Sequence, residues 1–339
     1  MTNSAERNEI LAYTRNADGT LSEAGHFSTG GRGSGGNTDP LASQGSLTLT
    51  QSHSHLLAVN AGSGDITVFR VHGANLDFSD REPSGGAEPV AVAQFGDLVY
   101  VLNAAANSSV VGFHLHDGAL TPIDNSLRYL TGNVVGPASI AFSPNGQFLA
   151  VTEKASNKID VFPVQSNGTL GAIVTAPSVG PGLFSLAFAP NGTVITTETG
   201  APGTPNDSAT SSYTINSDGT LSVVSASLPT LGGANCWNEV TPDGRFVYFS
   251  NAGSANIAGF SIASNGALTA LTGTIVGSNP AGATNVDLAI SKDGKYLYSL
   301  NSGNGTVGIF AIQHDGTLKS VAPASGLTAT AGFNGIAAN

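Results

Sequence analysis

Residues 141–170, AFSPNGQFLAVTEKASNKIDVFPVQSNGTL, carry two hairpin signals separated by a loop. Apolar residues flank an Asn-Gly pair at Asn145 and another at Asn167. Asn-Gly between such runs predicts a tight β-turn, because the turn needs residues with positive φ. The stretch therefore predicts four strands, named a, b, c and d, joined by a turn, a loop and a second turn.

The four-strand unit recurs along the whole chain. The second turn has seven versions, spaced about 50 residues apart over most of the chain, at His72 and in the motifs beginning at Asp18, Asp117, Asn167, Asp218, Asn265 and Asp315. The first turn has only six versions. The opening MTNSAERNEILAY aligns with VTEKASNKIDVF, so the chain starts inside a strand b, and the final FNGIAAN predicts a strand a.

These counts predict one all-β domain over residues 1–339, a seven-bladed β-propeller with four antiparallel strands per blade. The ring is expected to close by pairing of the C-terminal strand a with the N-terminal strands b, c and d. The start inside a strand also predicts that an upstream segment, such as a leader, has been removed.

Composition limits the partners. The net charge is −11 and the 12 Lys and Arg residues are scattered singly, which disfavours nucleic acid and heavily phosphorylated substrates. No apolar run is long enough to span a membrane, and no signal peptide is present in the chain as given. The single Cys236 excludes an internal disulfide and a Cys-based zinc site. We expect a monomer that binds a small molecule, and low charge with one thiol favours an extracytoplasmic location.

The pattern, above all FSPNGQFLAVTEKASNKIDVFPVQSNGTL, resembles the seven-bladed propellers of the lactonase family. That family includes 6-phosphogluconolactonase and the fungal carboxymuconate lactonizing enzyme. The resemblance runs from NEILAYTRNADGTL to HDGTL and implies lactone hydrolysis or cyclisation chemistry. No catalytic residue of either enzyme matches a motif here, so the resemblance supplies no site residues.

Strand order assigns the two faces of the propeller. The repeated turns lie on one face, whereas the b–c loops and d–a crossovers form the other, where a site is expected. Strand b ends there in an Asn in five units and in Glu153 and Glu198 in two adjacent ones; the five are Asn3, Asn60, Asn103, Asn251 and Asn301. The asparagines are expected to bond their own loops. On one reading, the two acids activate a water or hold a cation. On the other, Glu153 forms an ion pair with Lys154 or Lys158, and Glu198 is solvated.

The crossovers supply the other candidates. The longest, GGRGSGGNTDPLASQGS, contains Arg32, Asn37, Asp39 and Gln44, and Arg32 is expected to meet either an anionic oxygen or Asp39. A second, GGANCWNEV, brings together Cys236, Trp237 and Asn238. Trp237 is interpreted either as an aromatic surface on which a ligand stacks or as a buried residue that packs between blades. The pair His53 and His55 lies in a turn without a visible third ligand, which disfavours a zinc site.

Two functions follow from these residues. In the first, Glu198 or Glu153 activates a water that attacks a small, unphosphorylated lactone, and Arg32 steadies the oxyanion. Asn103, Gln44, Trp237 and Asn238 would bind the substrate, or Asn103, Glu153 and Glu198 would hold a Ca²⁺ ion. In the second, the same face of a non-catalytic propeller binds a small molecule, a glycan or a protein.

Overall fold

The computed structural model describes residues 1–105, 107–133 and 135–339, and every regular element among them is a strand. None of the described residues forms a helix that could cross a membrane. The first two strands form an antiparallel pair, called the terminal hairpin: β1 (Glu9–Arg15) and β2 (Leu21–Ser28).

Six larger antiparallel sheets follow in chain order. Sheet 1 contains β3 (Leu47–Leu49), β4 (His55–Asn60), β5 (Asp65–His72) and β6 (Asn75–Pro83). Sheet 2 contains β7 (Pro89–Phe95), β8 (Leu98–Asn103), β9 (Ser109–His116), β10 (Ala119–Pro122) and β11 (Arg128–Tyr129). Sheet 3 contains β12 (Pro137–Phe142), β13 (Phe148–Glu153), β14 (Lys158–Pro163) and β15 (Val174–Pro177).

The remaining sheets have the same plan. Sheet 4 contains β16 (Leu183–Phe188), β17 (Val194–Glu198), β18 (Ala209–Ile215) and β19 (Leu221–Pro229). Sheet 5 contains β20 (Asn235–Val240), β21 (Phe246–Asn251), β22 (Asn256–Ile262) and β23 (Leu268–Ser278). Sheet 6 contains β24 (Asn285–Ile290), β25 (Tyr296–Asn301), β26 (Thr306–Ile312) and β27 (Leu318–Ser325).

Within each larger sheet the strands pair in sequence order, which confirms the predicted a–b–c–d unit. The two turns that define the opening stretch contain Gly146 and Gly168 at φ of 69° and 82°, so both turns use the conformation that glycine adopts most easily. Sheet 2 differs because its outer position is shared by β10 and β11, both paired with β9.

The sheets stack around a central channel. The first strand of each sheet contacts the first strand of the next, from β3 through β7, β12, β16 and β20 to β24. The second strands are buried on both faces: the successive residues Leu57 and Ala58 of β4, for example, point to opposite faces and have no exposed surface. A strand covered on both sides carries a nearly continuous apolar run, which is the pattern seen in the sequence.

The structure confirms an all-β propeller but corrects the prediction of four strands in every blade. The terminal hairpin has two strands only, although β2 contacts both β6 and β27 and so lies between sheets 1 and 6. Residues 1–3 and 333–339 run beside it, with the Met1 amine 3.2 Å from the Gly335 carbonyl and the Asn334 amide 3.1 Å from the Met1 carbonyl. Positive φ at Asn3 and Gly335 prevents a regular ladder there. Six sheets are therefore complete, and a seventh blade stays a prediction.

Candidate functional site

The residues that end the second strands occupy the positions the repeat predicts. Asn60, Asn103, Glu153, Glu198, Asn251 and Asn301 are each the last residue of their strand, and all six are buried. Most of the asparagines bond locally. Asn60 Nδ2 donates to Asp65 Oδ1 at 2.7 Å, and Asn251 Nδ2 to Asn256 Oδ1 at 2.8 Å. These bonds tie the end of each second strand to the start of the third and so close the loop between them.

Glu153 is a buried carboxylate held by hydroxyl and amide donors. The Thr131 amide and hydroxyl donate to Oε1 at 2.8 and 2.9 Å, and Ser156 donates to Oε2. No ion pair joins Glu153 to Lys154 or Lys158 in the described part of the chain. Burial alone would raise the pKa of Glu153, but the bonds from Ser156 and Thr131 outweigh it and lower the pKa.

A second acid lies beside Glu153. Glu153 faces Lys158 across β13 and β14, and Asp160 lies two residues further along β14. Asp160 is fully buried and accepts a hydrogen bond from the Thr175 hydroxyl at 2.7 Å. Burial, with a contribution from the neighbouring Glu153, raises the pKa of Asp160 to about 8. At neutral pH the pair therefore shares one proton: Asp160 keeps it and Glu153 is ionised.

Glu198 is engaged within its own sheet. It accepts hydrogen bonds from the Gly180 amide at 3.1 Å and from the Ser211 and Ser227 hydroxyls at 2.6 and 2.8 Å. Over the described residues, Glu153 and Glu198 do not hydrogen-bond each other, and neither bonds Asn103. A Ca²⁺ ion between these three side chains would have to displace those donors, and the Ca²⁺ site stays a prediction.

Arg32 lies on the exposed side of the long crossover. Its amide donates to Ser63 Oγ at 2.9 Å and its carbonyl accepts from the Gly62 amide at 3.0 Å, so its backbone is tied to the b–c loop of sheet 1. Its guanidinium forms no ion pair with Asp39 among the residues described. The structure thus places Arg32 apart from the other candidates.

The far end of the same crossover enters the mouth of the central channel. Gln44 Nε2 donates to the Asn238 carbonyl at 2.6 Å, and Gln44 Oε1 accepts from the Asn238 amide at 3.2 Å. Trp237 Nε1 donates to the Ser43 carbonyl at 2.9 Å, and its ring lies 5.1 Å from that of Phe184. Gln44, Trp237 and Asn238 are therefore brought together, as an anchor that fixes the crossover to sheet 5.

Two charged side chains meet at the anchored segment. The Ala42 amide donates to Asp39 Oδ1 at 3.1 Å, and the Ala42 carbonyl accepts a hydrogen bond from Lys154 Nζ. Asn334 Nδ2 also donates to Asp39 Oδ1, at 2.8 Å, which leaves Oδ2 without a hydrogen bond from the described residues. Ala42 has a φ of 46°, a strained conformation for a residue other than glycine. Such strain is often found at functional sites.

The environment shifts both charges toward their neutral forms. Burial raises the pKa of Asp39, although Asn334 and the charge of Lys154 oppose the shift. Burial also lowers the pKa of Lys154, against the charge of Asp39, and its ammonium lies 4.8 Å above the Phe184 ring. The nearby Cys236 is a thiol and no nucleophile, because burial raises its pKa strongly.

Two more acids lie along the channel on neighbouring inner strands. Burial raises the pKa of Glu239 to about 8 and that of Asp287 to about 7. The charge of Asp287 contributes to the rise at Glu239, and the charge of Asp39 contributes to the rise at Asp287. Asp287 has a φ of 75° in a bulge of β24. The raised pKa of Asp39 and the strained backbone at Ala42 mark the channel mouth as the candidate site.

A cavity of about 520 Å³ lies beside Lys154 on the loop face. Its lining includes Asn157, Gly182, Ala234 and residues 199–204. The cavity thus lies between the loops of sheets 3, 4 and 5, and its Lys154 bonds the same residue, Ala42, as Asp39 does. A small ligand has room to approach the pair from this side.

The sequence contains signals for three residues that were not singled out as site candidates, namely Lys154, Glu239 and Asp287. The position after each strand b holds Ser4, Ala61, Ala104, Lys154, Thr199, Ala252 and Ser302, so Lys154 is the one large, charged member. Glu239 and Asp287 are the charged residues of the inner strands β3, β7, β12, β16, β20 and β24. Comparing inner strands across the repeat would have found them.

Residues 6–135 match the family model described as lactonase, 7-bladed beta-propeller. This match, with the solved structures below, confirms the resemblance to a lactonase-family propeller. No curated protein sequence matches the chain.

Solved structures share the fold at low sequence identity. A protein of Bacteroides uniformis assigned as a 6-phosphogluconolactonase is 20% identical, with 96% of this chain and 94% of that one covered and a TM-score of 0.72. The periplasmic gluconolactonase of Pseudomonas aeruginosa is 18% identical, with 96% and 97% covered and a TM-score of 0.66. The hydrazine synthase of Kuenenia stuttgartiensis is 16% identical, with 85% and 88% covered and a TM-score of 0.62. Proteins of different chemistry thus share this architecture.

Proposed function

We propose that the protein hydrolyses a small, unphosphorylated lactone at the channel mouth on the loop face. The observation that carries the proposal is the meeting of Asp39 and Lys154 on the two sides of the strained residue Ala42. The family match over residues 6–135 supports the reaction class. We further propose that the terminal hairpin and residues 1–3 and 333–339 serve as the seventh blade of the ring.

Asp39 is the general base in this proposal. Its Oδ1 is held by the Ala42 amide and by Asn334, so Oδ2 is the oxygen left to take a proton from water. The hydroxide equivalent attacks the lactone carbonyl carbon, the ring C–O bond breaks, and the ring oxygen takes the proton from Asp39, which gives the hydroxy acid and restores the base. A base whose pKa is raised toward the working pH is more effective in this role.

Lys154 stabilises the oxyanion that forms on the carbonyl oxygen. A half-buried ammonium in a partly desolvated cavity interacts more strongly with a developing negative charge than it would in water. Lys154 is the cation that lines the 520 Å³ cavity. One cation favours a carbonyl oxygen over a phosphate, which usually requires several cationic or amide donors.

The test is a pH-stat assay over unphosphorylated sugar lactones, aliphatic lactones and 6-phosphogluconolactone. We expect turnover of at least one unphosphorylated lactone, with a loss of roughly 100-fold or more in Asp39→Asn, the range of general base catalysis. Asp18→Asn, in an exposed turn of the terminal hairpin, is the matched control and keeps full activity.

Two results would overturn the assignment of Asp39. Activity that survives in Asp39→Asn but disappears in folded Glu153→Gln or Glu198→Gln would place the chemistry on the ends of the second strands. Loss of activity on addition of EDTA that Ca²⁺ restores and Zn²⁺ does not would support the Ca²⁺ version of that site instead.

A non-catalytic binding function is the second candidate. It is favoured by the hydrogen bonds that already engage Asp39 and Lys154 in holding the crossover. Because Trp237 anchors the same crossover, ligand entry should change its fluorescence. A saturable fluorescence change without turnover of any lactone would support binding over catalysis.

A further inference from the structure

A cluster of two histidines and an aspartate lies on the turn face, opposite the candidate site. His114 and His116 are on β9, and Asp97 lies in the turn between β7 and β8. One ligand atom from each lies within 4.8 Å of the others. His53 and His55, the pair noted in the sequence, have no such third partner among the described residues.

The backbone holds the three side chains together. The Leu115 amide donates to the Asp97 carbonyl at 2.7 Å, so Asp97 lies opposite the middle residue of the His-Leu-His segment. Side chains alternate along a strand, and His114 and His116 therefore project from the same side. Their rings are stacked with centroids 5.7 Å apart.

The distances fit one metal ion. His114 Nδ1 lies 2.9 Å and His116 Nε2 lies 3.6 Å from the same oxygen, Asp97 Oδ2. Zinc binds nitrogen and oxygen ligands at about 2.0–2.1 Å in a tetrahedron, which separates ligand atoms by roughly 3.3 Å. The observed separations lie on either side of that value, so small rotations of these partly exposed side chains bring all three onto one ion.

We propose that Asp97, His114 and His116 bind a divalent transition-metal ion such as Zn²⁺, with water completing the coordination. Imidazole and carboxylate ligands suit Zn²⁺ and its neighbours rather than Mg²⁺ or Ca²⁺. The site is separate from the proposed lactone site, because it lies on the other face and shares no residue with it.

The test is calorimetric titration of the EDTA-treated, full-length protein with ZnCl₂, followed by Co²⁺ absorption. We expect one ion per chain and at least tenfold weaker binding in His114→Ala, His116→Ala and Asp97→Asn. Four-coordinate Co²⁺ should give an intense visible band that is lost in the same variants.

His72→Ala is the matched control. His72 Nε2 lies 3.4 Å from Asp77 Oδ2 in the hairpin of β5 and β6, so it is an exposed His–Asp pair without a third ligand among the described residues. Its removal should leave the affinity unchanged. The proposal is overturned if no saturable binding occurs, if His114→Ala and His116→Ala bind as tightly as the native protein, or if His72→Ala abolishes binding. The ligands are on the surface, and circular dichroism checks that each variant folds.

Discussion

At the scale of single residues, the departure from asparagine at Glu153 has a local explanation. An asparagine amide both accepts and donates hydrogen bonds, whereas an ionised carboxylate only accepts them. Glu153 accepts hydrogen bonds from Thr131 and Ser156, and the protonated Asp160 beside it supplies the missing donor. Sequence comparison located the unusual residue correctly. It could not identify Asp160 as the partner, because that contact depends on how β13 and β14 pair.

Asp160 makes stability depend on pH. Its pKa is about 8 in the folded protein and near 3.9 when unfolded, so the folded state binds more protons between these values and loses stability as pH rises through them. Asp160→Asn cannot ionise. We expect its free energy of unfolding, relative to the native protein, to increase by about 4 kcal/mol from pH 5 to pH 9, because about three pH units separate pH 5 from the folded pKa, at about 1.4 kcal/mol each.

Urea unfolding at several pH values measures this difference. Asp218→Asn is the control, because the pKa of the exposed Asp218 is lowered by bonds from Thr220 and lies outside this window. A constant difference between Asp160→Asn and the native protein across the range would contradict the shared proton.

A second prediction at this scale concerns the pH dependence of kcat/KM and rests on the proposed function of Asp39 and Lys154. The base Asp39 must be ionised, so kcat/KM should rise with pH through a pKa above the usual 3.8. Lys154 must be charged, so the rate should fall through a pKa below the usual 10.5. In Lys154→Arg the guanidinium stays charged, and the alkaline fall should disappear while the acidic rise remains. An unchanged alkaline limb would assign that limb to another group.

At the scale of elements, the long crossover acts as the boundary of the channel mouth. One end is tied to sheet 1 through Arg32, and the other to sheet 5 through Gln44 and Trp237. Its glycine-rich composition predicted a functional or mobile segment. The partners of Gln44 and Trp237 lie almost 200 residues away in sequence, so only the packing of the sheets against one another brings them together.

Trp237→Phe tests the anchor. The change leaves the buried Ser43 carbonyl without its donor, which we expect to cost about 1–3 kcal/mol and to loosen the crossover. Trypsin should then cleave faster after the exposed Arg32. Tyr248→Phe removes a comparable bond, from the tyrosine hydroxyl to the Gly316 carbonyl at 2.8 Å, away from the crossover. Equal cleavage in the two variants would contradict the anchoring role.

At the scale of the whole molecule, the terminal segments join the first and last sheets. Phe333 and Asn334 are buried, and Asn334 bonds both Met1 and Asp39. An apolar cavity of about 360 Å³ remains between β1, the C-terminal segment and sheets 1 and 6, where a regular unit has its second strand. The hairpin count predicted this junction, whereas its incomplete pairing follows from the local backbone.

Deletion of residues 333–339 tests the junction. It removes the buried Phe333 side chain, which alone is worth about 1.5–3 kcal/mol, and leaves Met1 without its partners. We expect a lower thermal midpoint and, on the proposed role of Asp39, slower lactone hydrolysis, because Asp39 loses Asn334. Deletion of the exposed Asn339 alone is the control. An unchanged midpoint in the longer deletion would show that the ring does not depend on this segment.

The sequence by itself determined the repeat, the hairpins, the order of strands and the face on which each loop lies. These features depend on contacts between neighbours in the chain: a turn needs Asn-Gly or Asp-Gly, and a buried strand needs apolar residues. Only the tertiary structure decided which charges meet. Asp39, Lys154, Glu239 and Asp287 come from four separate units, and their pKa shifts arise from burial in the shared channel, which exists only when the sheets are assembled.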